Sequence, residues 1–460
     1  MRRSLSKFAL APVALVAIAA CSGGDGGSAS EPAPPSAPSL TRESGGRATA
    51  IVSQPVTALV GQRLAHVLPR GGVSALSVTT IPNARCELRG EGEALDAREH
   101  LSVYSDDEGI ARVHLRHADP SVDHAALVLD CDDGAGRTST HPIDVSVVEG
   151  ASSQPPARFS KAGRRVLPAL DVSPESLSES EVAARGYPPR PDREKAPDQY
   201  AKWLELASSS ATVVEPHLMS TPERFHRNVI LDGAGNSSIW SGYVITSQAV
   251  VYGEIFGAWP VPAVAAQSGF YYLDYSTYWV GIDGYGTSDV VQAGTSQNTQ
   301  TIFGIQASTY GAWTEWYPLT SQTVSNFPVN PGDDIEVWVW VANAANTWSA
   351  TGGNGWFLVW NATQNVQTEV TTVIPAGVTF TGHTAEWIME RPTVNGTITS
   401  LANYGTAQMT DSWACDFSYG THYFGSDTST QLTMMNGTDE LSSVAPVTTR
   451  AMTFTWHNNN

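Results

Sequence analysis

The seven residues from Ile335 to Val341 alternate without a break: Ile335, Val337, Val339 and Val341 take one parity, Glu336, Trp338 and Trp340 the other. Successive side chains of a strand point to opposite faces, so this run reads as a strand with an aliphatic face and an aromatic one. Trp356 to Trp360 and Val366 to Val373 look like further strands, and Pro331-Gly332-Asp333-Asp334 supplies a turn before the first. Helical periodicity is nearly absent from Ile239 onward. A single sheet of about 220 residues would expose an apolar face, so residues 228–460 are expected to close into one large antiparallel β-sandwich. The tryptophans opposite the aliphatic core are expected to line a concave groove.

Upstream the pattern changes twice. Residues 48–148 read as short strands between turn clusters, among them Leu59 to Val67, Ser74 to Thr80, Ile110 to Arg116 and Ala125 to Cys131. A small immunoglobulin-like β domain fits, with Cys86 and Cys131 stapling two strands as a disulfide. Residues 149–227 form a partly helical linker or propeptide. Ser178-Glu179-Ser180-Glu181 has the spacing of a capping box ahead of a short helix that Gly186 ends. A second helix is expected from Asp198 to about Ser208, with Tyr200, Trp203, Leu204 and Ala207 on one apolar face that must dock on something.

The first residues read as an export signal: Arg2 and Arg3 precede an apolar stretch, Phe8 to Ala20, too short to span a bilayer. The run Leu15 to Ala20 before Cys21 resembles a bacterial lipobox, so residues 1–20 are expected to be a lipoprotein signal and Cys21 the lipidated residue. Residues 21–47 then form a flexible tether rich in Gly, Ser and Pro. The expected location is the bacterial cell envelope, outer membrane or cell surface, with lipid as the only membrane contact and release into the medium as a variant. Cys415 is left without a partner and reads as a small buried hydrophobe.

The net charge of -19 is unevenly spread. After Asn228 there is no lysine, and Arg391 and Arg450 are the only arginines. Nucleic acid is therefore excluded as a partner of this part. Such a domain also gains little positive charge to repel itself when its carboxylates neutralise in acid. The basic residues near it cluster in the linker: Arg158, Lys161, Arg164, Arg165, Arg185, Arg190, Arg193, Lys195 and Lys202. They are expected to pair with carboxylates of the C-terminal domain and to let go when acid protonates those groups.

Several hydrolase solutions are missing from the chain: no HExxH, no GxSxG elbow, no pair of Asp-Thr/Ser-Gly loops. His383 and Glu386 would share a helix face but point apart on a strand, so no metal is expected. Six segments nevertheless fall in a familiar order: Ile239 to Tyr243, Trp259 to Pro262, Tyr278 to Gly284, Val290 to Gly294, Ala312 to Pro318, and Thr384 to Pro392. In that order and spacing the chain resembles the glutamic peptidases, the eqolisin family, over roughly residues 236–415.

The resemblance implies an all-β, lectin-like (concanavalin A type) sandwich with a groove on its concave side, and endopeptidase activity in acid on polypeptide substrates, by a monomer without cofactor or metal. It places the family's catalytic glutamine on Gln292 and its catalytic glutamate on Glu386. It gives supporting or substrate-binding roles to Trp240, Trp279, Asp283, Trp313, Glu315 and Glu390. The chemistry is coherent: an ordinary glutamic acid titrates near about 4.3, so in mild acid Glu386 is expected to be ionised enough to deprotonate an attacking water. Gln292 donates its amide N–H to the oxyanion, and its state does not change with pH. Taken singly, a strand glutamine is a surface residue and Glu386 an acceptor for the Trp240 or Trp313 indole. Two other readings predict different chemistry: a carbohydrate-binding sandwich that needs neither residue, and a glycoside hydrolase pairing Glu386 with Glu390 or Glu315.

Overall fold

The computed structural model describes residues 59–460, apart from 61–62, 92–99, 150–162, 168–171, 222, 225–234, 248, 268, 270 and 352. Cys21, Arg158 and Lys161 lie outside the described residues, as do the signal and tether expected around Cys21.

The alternation at Ile335 to Val341 does what it predicts. Asp334–Ala342 sits inside an eight-stranded sheet, between Tyr252–Pro260 and Asn354–Asn361. Its aliphatic side meets the inner face of a second, larger sheet. The centre of that sheet runs Ile305–Tyr317, Val290–Ile302, Tyr271–Ile282, Thr384–Glu390, Trp240–Thr246, with every neighbouring pair antiparallel. Val337, Val339 and Val341 from one sheet and Val280, Val291 and Trp387 from the other share a core in which each is completely buried. The described chain is nearly all strand, and the architecture is the expected β-sandwich.

The tryptophan side departs from expectation. Trp338, Trp340, Trp360 and Trp413 do not line a groove; they are buried beneath Leu177, Val182, Trp203 and Leu206 of residues 164–214. This segment also extends the eight-stranded sheet, because Ala211–Val214 pairs with Val366–Val373 and Arg164–Leu167 pairs with Ala211–Val214. Sequence reading had assigned a docking helix without its dock, and the aromatic face of the sheet is that dock. The first helix, Glu179–Ala184, carries the full capping box between Ser178 and Glu181. Gly186 follows at φ 73°, and a Cβ there would fall 1.4 Å from Glu369 Oε2. The second helix, Pro197–Ser208, buries Tyr200, Trp203, Leu206 and Ala207. Leu206 faces the sheet as well, and the expected Leu204 packs half-buried at the edge of the same cluster.

Charge contributes less to this docking than expected. Lys202 Nζ lies 2.5 Å from Glu336 Oε1, and Arg165 lies near Glu369. Arg190 instead donates to the backbone oxygens of Pro174 and Leu177, and Arg193 pairs with Glu175 of its own segment. Across the interface Arg450 of the C-terminal domain holds Asp198 of the helix, the reverse of the expected polarity. Protonating carboxylates would therefore remove few ion pairs and leave the apolar contact intact.

The N-terminal strands form a sandwich with an unexpected second layer. One layer is a sheet containing Arg85–Gly90 and His124–Asp132; Cys86 faces Cys131 across these two neighbours, and the pair is disulfide-bonded. The bridge thus staples adjacent strands of one sheet. The other layer is Val73–Thr79 beside Ile110–His117, and the latter pairs in turn with Ile305–Tyr317. The large sheet therefore runs continuously from the C-terminal sandwich into the N-terminal one, whose core takes in Ile302, Ile305 and Ala307.

Trp203 is 1 % exposed and its indole donates to Pro188 O at 2.9 Å. Trp203→Ala should cost about 3–5 kcal/mol of stability, read as a fall in the urea midpoint at unchanged m-value.

Candidate active site

The outer face of the large sheet carries the expected site residues, and strand register decides their grouping. Gly281 pairs with Gln292 on one side and with Glu386 on the other. Gln292 in turn pairs with Glu315. One transverse row across four strands therefore reads Glu315, Gln292, Gly281, Glu386. The backbones of Gln292 and Glu386 stand two strand spacings apart, about 9.5 Å, with a residue that has no side chain between them. A Cβ at position 281 would sit 3.0 Å from Trp279 Cζ3 and from Val290 Cγ2 and 3.1 Å from Gln292 Cβ, so the neighbours close over this position and glycine is what fits beneath them.

The neighbouring rows hold the aromatic residues. Trp313 and Trp279 belong to the next row, and Glu390 and Trp240 pair one row further on. Trp240, Trp279 and Trp313 are completely buried in one apolar cluster with Val290 and Ile388. Trp240 and Trp279 meet edge to face at 5.1 Å.

Each polar group is held by specific bonds. Gln292 Nε2 donates to Glu315 Oε2 at 2.8 Å, which fixes the orientation of the amide. Glu386 Oε1 accepts from Thr384 Oγ1 at 2.5 Å and from the Tyr285 N–H at 3.2 Å. Glu390 Oε2 accepts from Trp279 Nε1 at 2.8 Å, and Trp240 bonds the same carboxyl. Asp283 lies one turn back at φ 64°, in the left-handed region. Its carboxylate takes the N–H groups of Thr381, Gly382 and His383 and the Thr381 hydroxyl. It anchors the loop that leads into Thr384–Glu390. Among the described residues, Gln292 Oε1 and Glu386 Oε2 are buried and accept no hydrogen bond. No cluster of three or more His, Cys, Asp and Glu side chains is placed there to hold a metal ion.

Burial corrects one expectation. Gln292 and Glu386 are both 0 % exposed, so no polypeptide reaches them in this conformation. Burial holds the Glu386 carboxyl well above the ordinary glutamate range, and the nearby Asp283 charge adds to this against the bonds from Thr384 and Tyr285. Burial thus favours the neutral acid in the closed site, where the unperturbed value has Glu386 substantially ionised in mild acid. Burial raises Glu390 in the same way, with Glu315 adding to it. Sequence reading missed Gly281, Thr384 and Asp289. The first two stand inside the quoted motifs, where their neighbours drew the attention. Asp289 accepts from the Trp316 indole at 3.1 Å, and burial pushes it up to about 6.

Residues 238–456 match the model of the Peptidase A4 family. Aspergillopepsin-2 of Aspergillus niger is 28% identical over 212 residues, which cover 40% of this chain and 67% of that protein. Two solved structures are similar. Scytalido-glutamic peptidase with a peptide-based transition state analog is 19% identical with a TM-score of 0.39, over 48% of this chain and 98% of that one. Aspergilloglutamic peptidase of Aspergillus niger is 24% identical with a TM-score of 0.33, over 40% of this chain and 99% of that one. The family match marks residues 238–456 as a peptidase domain.

The buried acids set a pH dependence of stability. Burial also pushes Glu254 up to about 8 and Glu336 and Glu369 up to about 7. A carboxyl with a raised folded pKa keeps its proton in the native state after the unfolded chain has lost it, so stability falls as pH rises. The contribution is complete below about pH 4 and is lost as pH climbs through about 6 to 8. Urea midpoints should therefore fall steadily from about pH 4 to pH 8; a midpoint that rises over this window contradicts the assignment.

Proposed function

We propose that the peptidase domain is an acid endopeptidase in which Glu386 and Gln292 act on a water and a peptide carbonyl held over Gly281. The observation that carries this reading is the shared row: an amide and a carboxyl flank a position without a side chain, each with one oxygen that the protein leaves unbonded. Once the site opens to solvent, the burial that keeps Glu386 neutral is relieved, and the carboxylate takes a proton from the attacking water. It then returns that proton to the leaving amine. Gln292 Nε2 has a second N–H beyond the one given to Glu315, and this donates to the oxyanion. Thr384 and the Tyr285 N–H both engage Glu386 Oε1, which leaves Oε2 as the basic oxygen.

The proposal is tested on an unfolded protein at about pH 4. Wild type should cleave it, Glu386→Gln should not, and Gln292→Ala should lower kcat by about 100- to 1000-fold with the fold intact. Equal cleavage by wild type and Glu386→Gln would remove the assignment, and sugar binding that survives both changes would favour the lectin reading.

The closed site gives the full chain the character of a precursor. Cleavage within roughly residues 150–230 frees the site. Holding full-length protein at about pH 4 should yield N-termini within roughly residues 150–230 and a rise in activity. Full activity with no cut in the chain would overturn the precursor reading.

A further inference from the structure

The outer edge of the large sheet has a gap. Along that edge Ile305–Tyr317 is paired by Ile110–His117 at Ile305 to Ser308, and by Gln322–Val324 at Trp313 and Thr314. Among the described residues no strand pairs with Thr309 to Ala312 between them. A cleft lies at this gap. The N-terminal sandwich contributes Tyr104, Arg112 and His114 to its wall, and the C-terminal domain contributes Asn298, Gly311 and Asn326.

Three observations say what such a cleft accepts. Its wall mixes polar and apolar surface about equally, and the gap lies along a strand edge, where a second chain is recognised through backbone N–H and C=O groups whatever its side chains. Gly311 leaves room: a methyl group there would sit 3.7 Å from both Ser296 Oγ and Thr323 Cγ2, an ordinary contact. His114 Nδ1 is buried and makes no hydrogen bond among the described residues.

The gap also lies on a strand that reaches the catalytic row. Gly311, Trp313 and Glu315 share one parity of one strand, so Gly311 lies four residues from the row that holds Gln292. At ~3.3 Å per residue this is about 13 Å, and an extended polypeptide covers it with about four residues.

We infer that this cleft is a remote binding site for an extended stretch of the substrate polypeptide, held by strand addition to Thr309–Ala312 and walled by the N-terminal sandwich. The inference rests on the peptidase reading of Gln292 and Glu386. It gives the N-terminal sandwich a function: the strand that fuses the two cores also sets one end of the slot. Cleavage should then favour long unfolded chains over short peptides, with little dependence on the side chains bound in the slot.

Two variants test it in the full chain. Gly311→Leu fills the slot, and Tyr104→Ala removes part of its N-terminal wall. The first readout is anisotropy of a labelled, unstructured peptide of about twelve residues, long enough to reach from the row to the cleft, on protein carrying Glu386→Gln. The second is kcat/KM at about pH 4 for that peptide and for one of about four residues. Gly311→Leu should weaken binding of the long peptide by about tenfold and lower its kcat/KM as much, leaving the short one unchanged. Tyr104→Ala, which introduces no bulk, should shift both readouts the same way by a smaller factor. Unchanged binding in both variants, or equal loss for long and short peptides, overturns the site. If binding depends on Gly311 while wild type cleaves neither peptide, the slot stands as a polypeptide site and the peptidase reading falls.

Discussion

A single missing side chain holds the candidate site together. Gln292 and Glu386 lie on strands that are not neighbours, and the strand between them presents Gly281, where an added side chain would crowd Trp279, Val290 and Gln292. The strands on either side are locked by long antiparallel ladders, so the spacing of the pair is a property of the sheet and not of a loop. Loops adjust the details. Asp283 pins the entry to Thr384–Glu390 with four hydrogen bonds, and Thr384 and Tyr285 settle which oxygen of Glu386 is engaged.

The large sheet is buried on both faces here, and this has an electrostatic consequence. Its inner face packs on the aliphatic core, and its outer face holds three tryptophans around the row. Buried carboxyls must be neutralised by a cation or by a proton. With no lysine after Asn228 and only two arginines, Glu254, Glu386 and Glu390 have no cation of their own domain to pair with and are held as acids. Scarcity of basic residues, acid preference of the fold and a raised glutamate in the site are thus one fact seen three times. The exception clarifies the rule: Glu336 has Lys202 from the linker at 2.5 Å, and burial still pushes it up to about 7.

Sequence reading reached the strands whose pattern has a period, and its ordered motifs singled out candidates that the register brings into one row. Ile335 to Val341, Val366 to Val373, the capping box at Ser178 and the helix ending at Ser208 were all legible because each depends on neighbours in the chain. What covers a face is not local. The alternation showed that Trp338 and Trp340 share a side, but an aromatic face reads alike whether it lines a groove or receives a helix. The join between Ile110–His117 and Ile305–Tyr317 was invisible for the same reason, since edge pairing leaves no periodic mark. The motif singled out Glu386 but not its raised pKa, because burial is a property of the packed sheet.

The central claim is that Glu386 activates a water while Gln292 holds the carbonyl oxygen. Digestion of an unfolded protein in heavy-oxygen water at about pH 4, followed by mass spectrometry, examines both products at once. Heavy oxygen in the new carboxyl termini, with none in the Glu386 side chain of the recovered protein, is the predicted result. Heavy oxygen in the Glu386 carboxyl, or no cleavage once the site is open, contradicts the account.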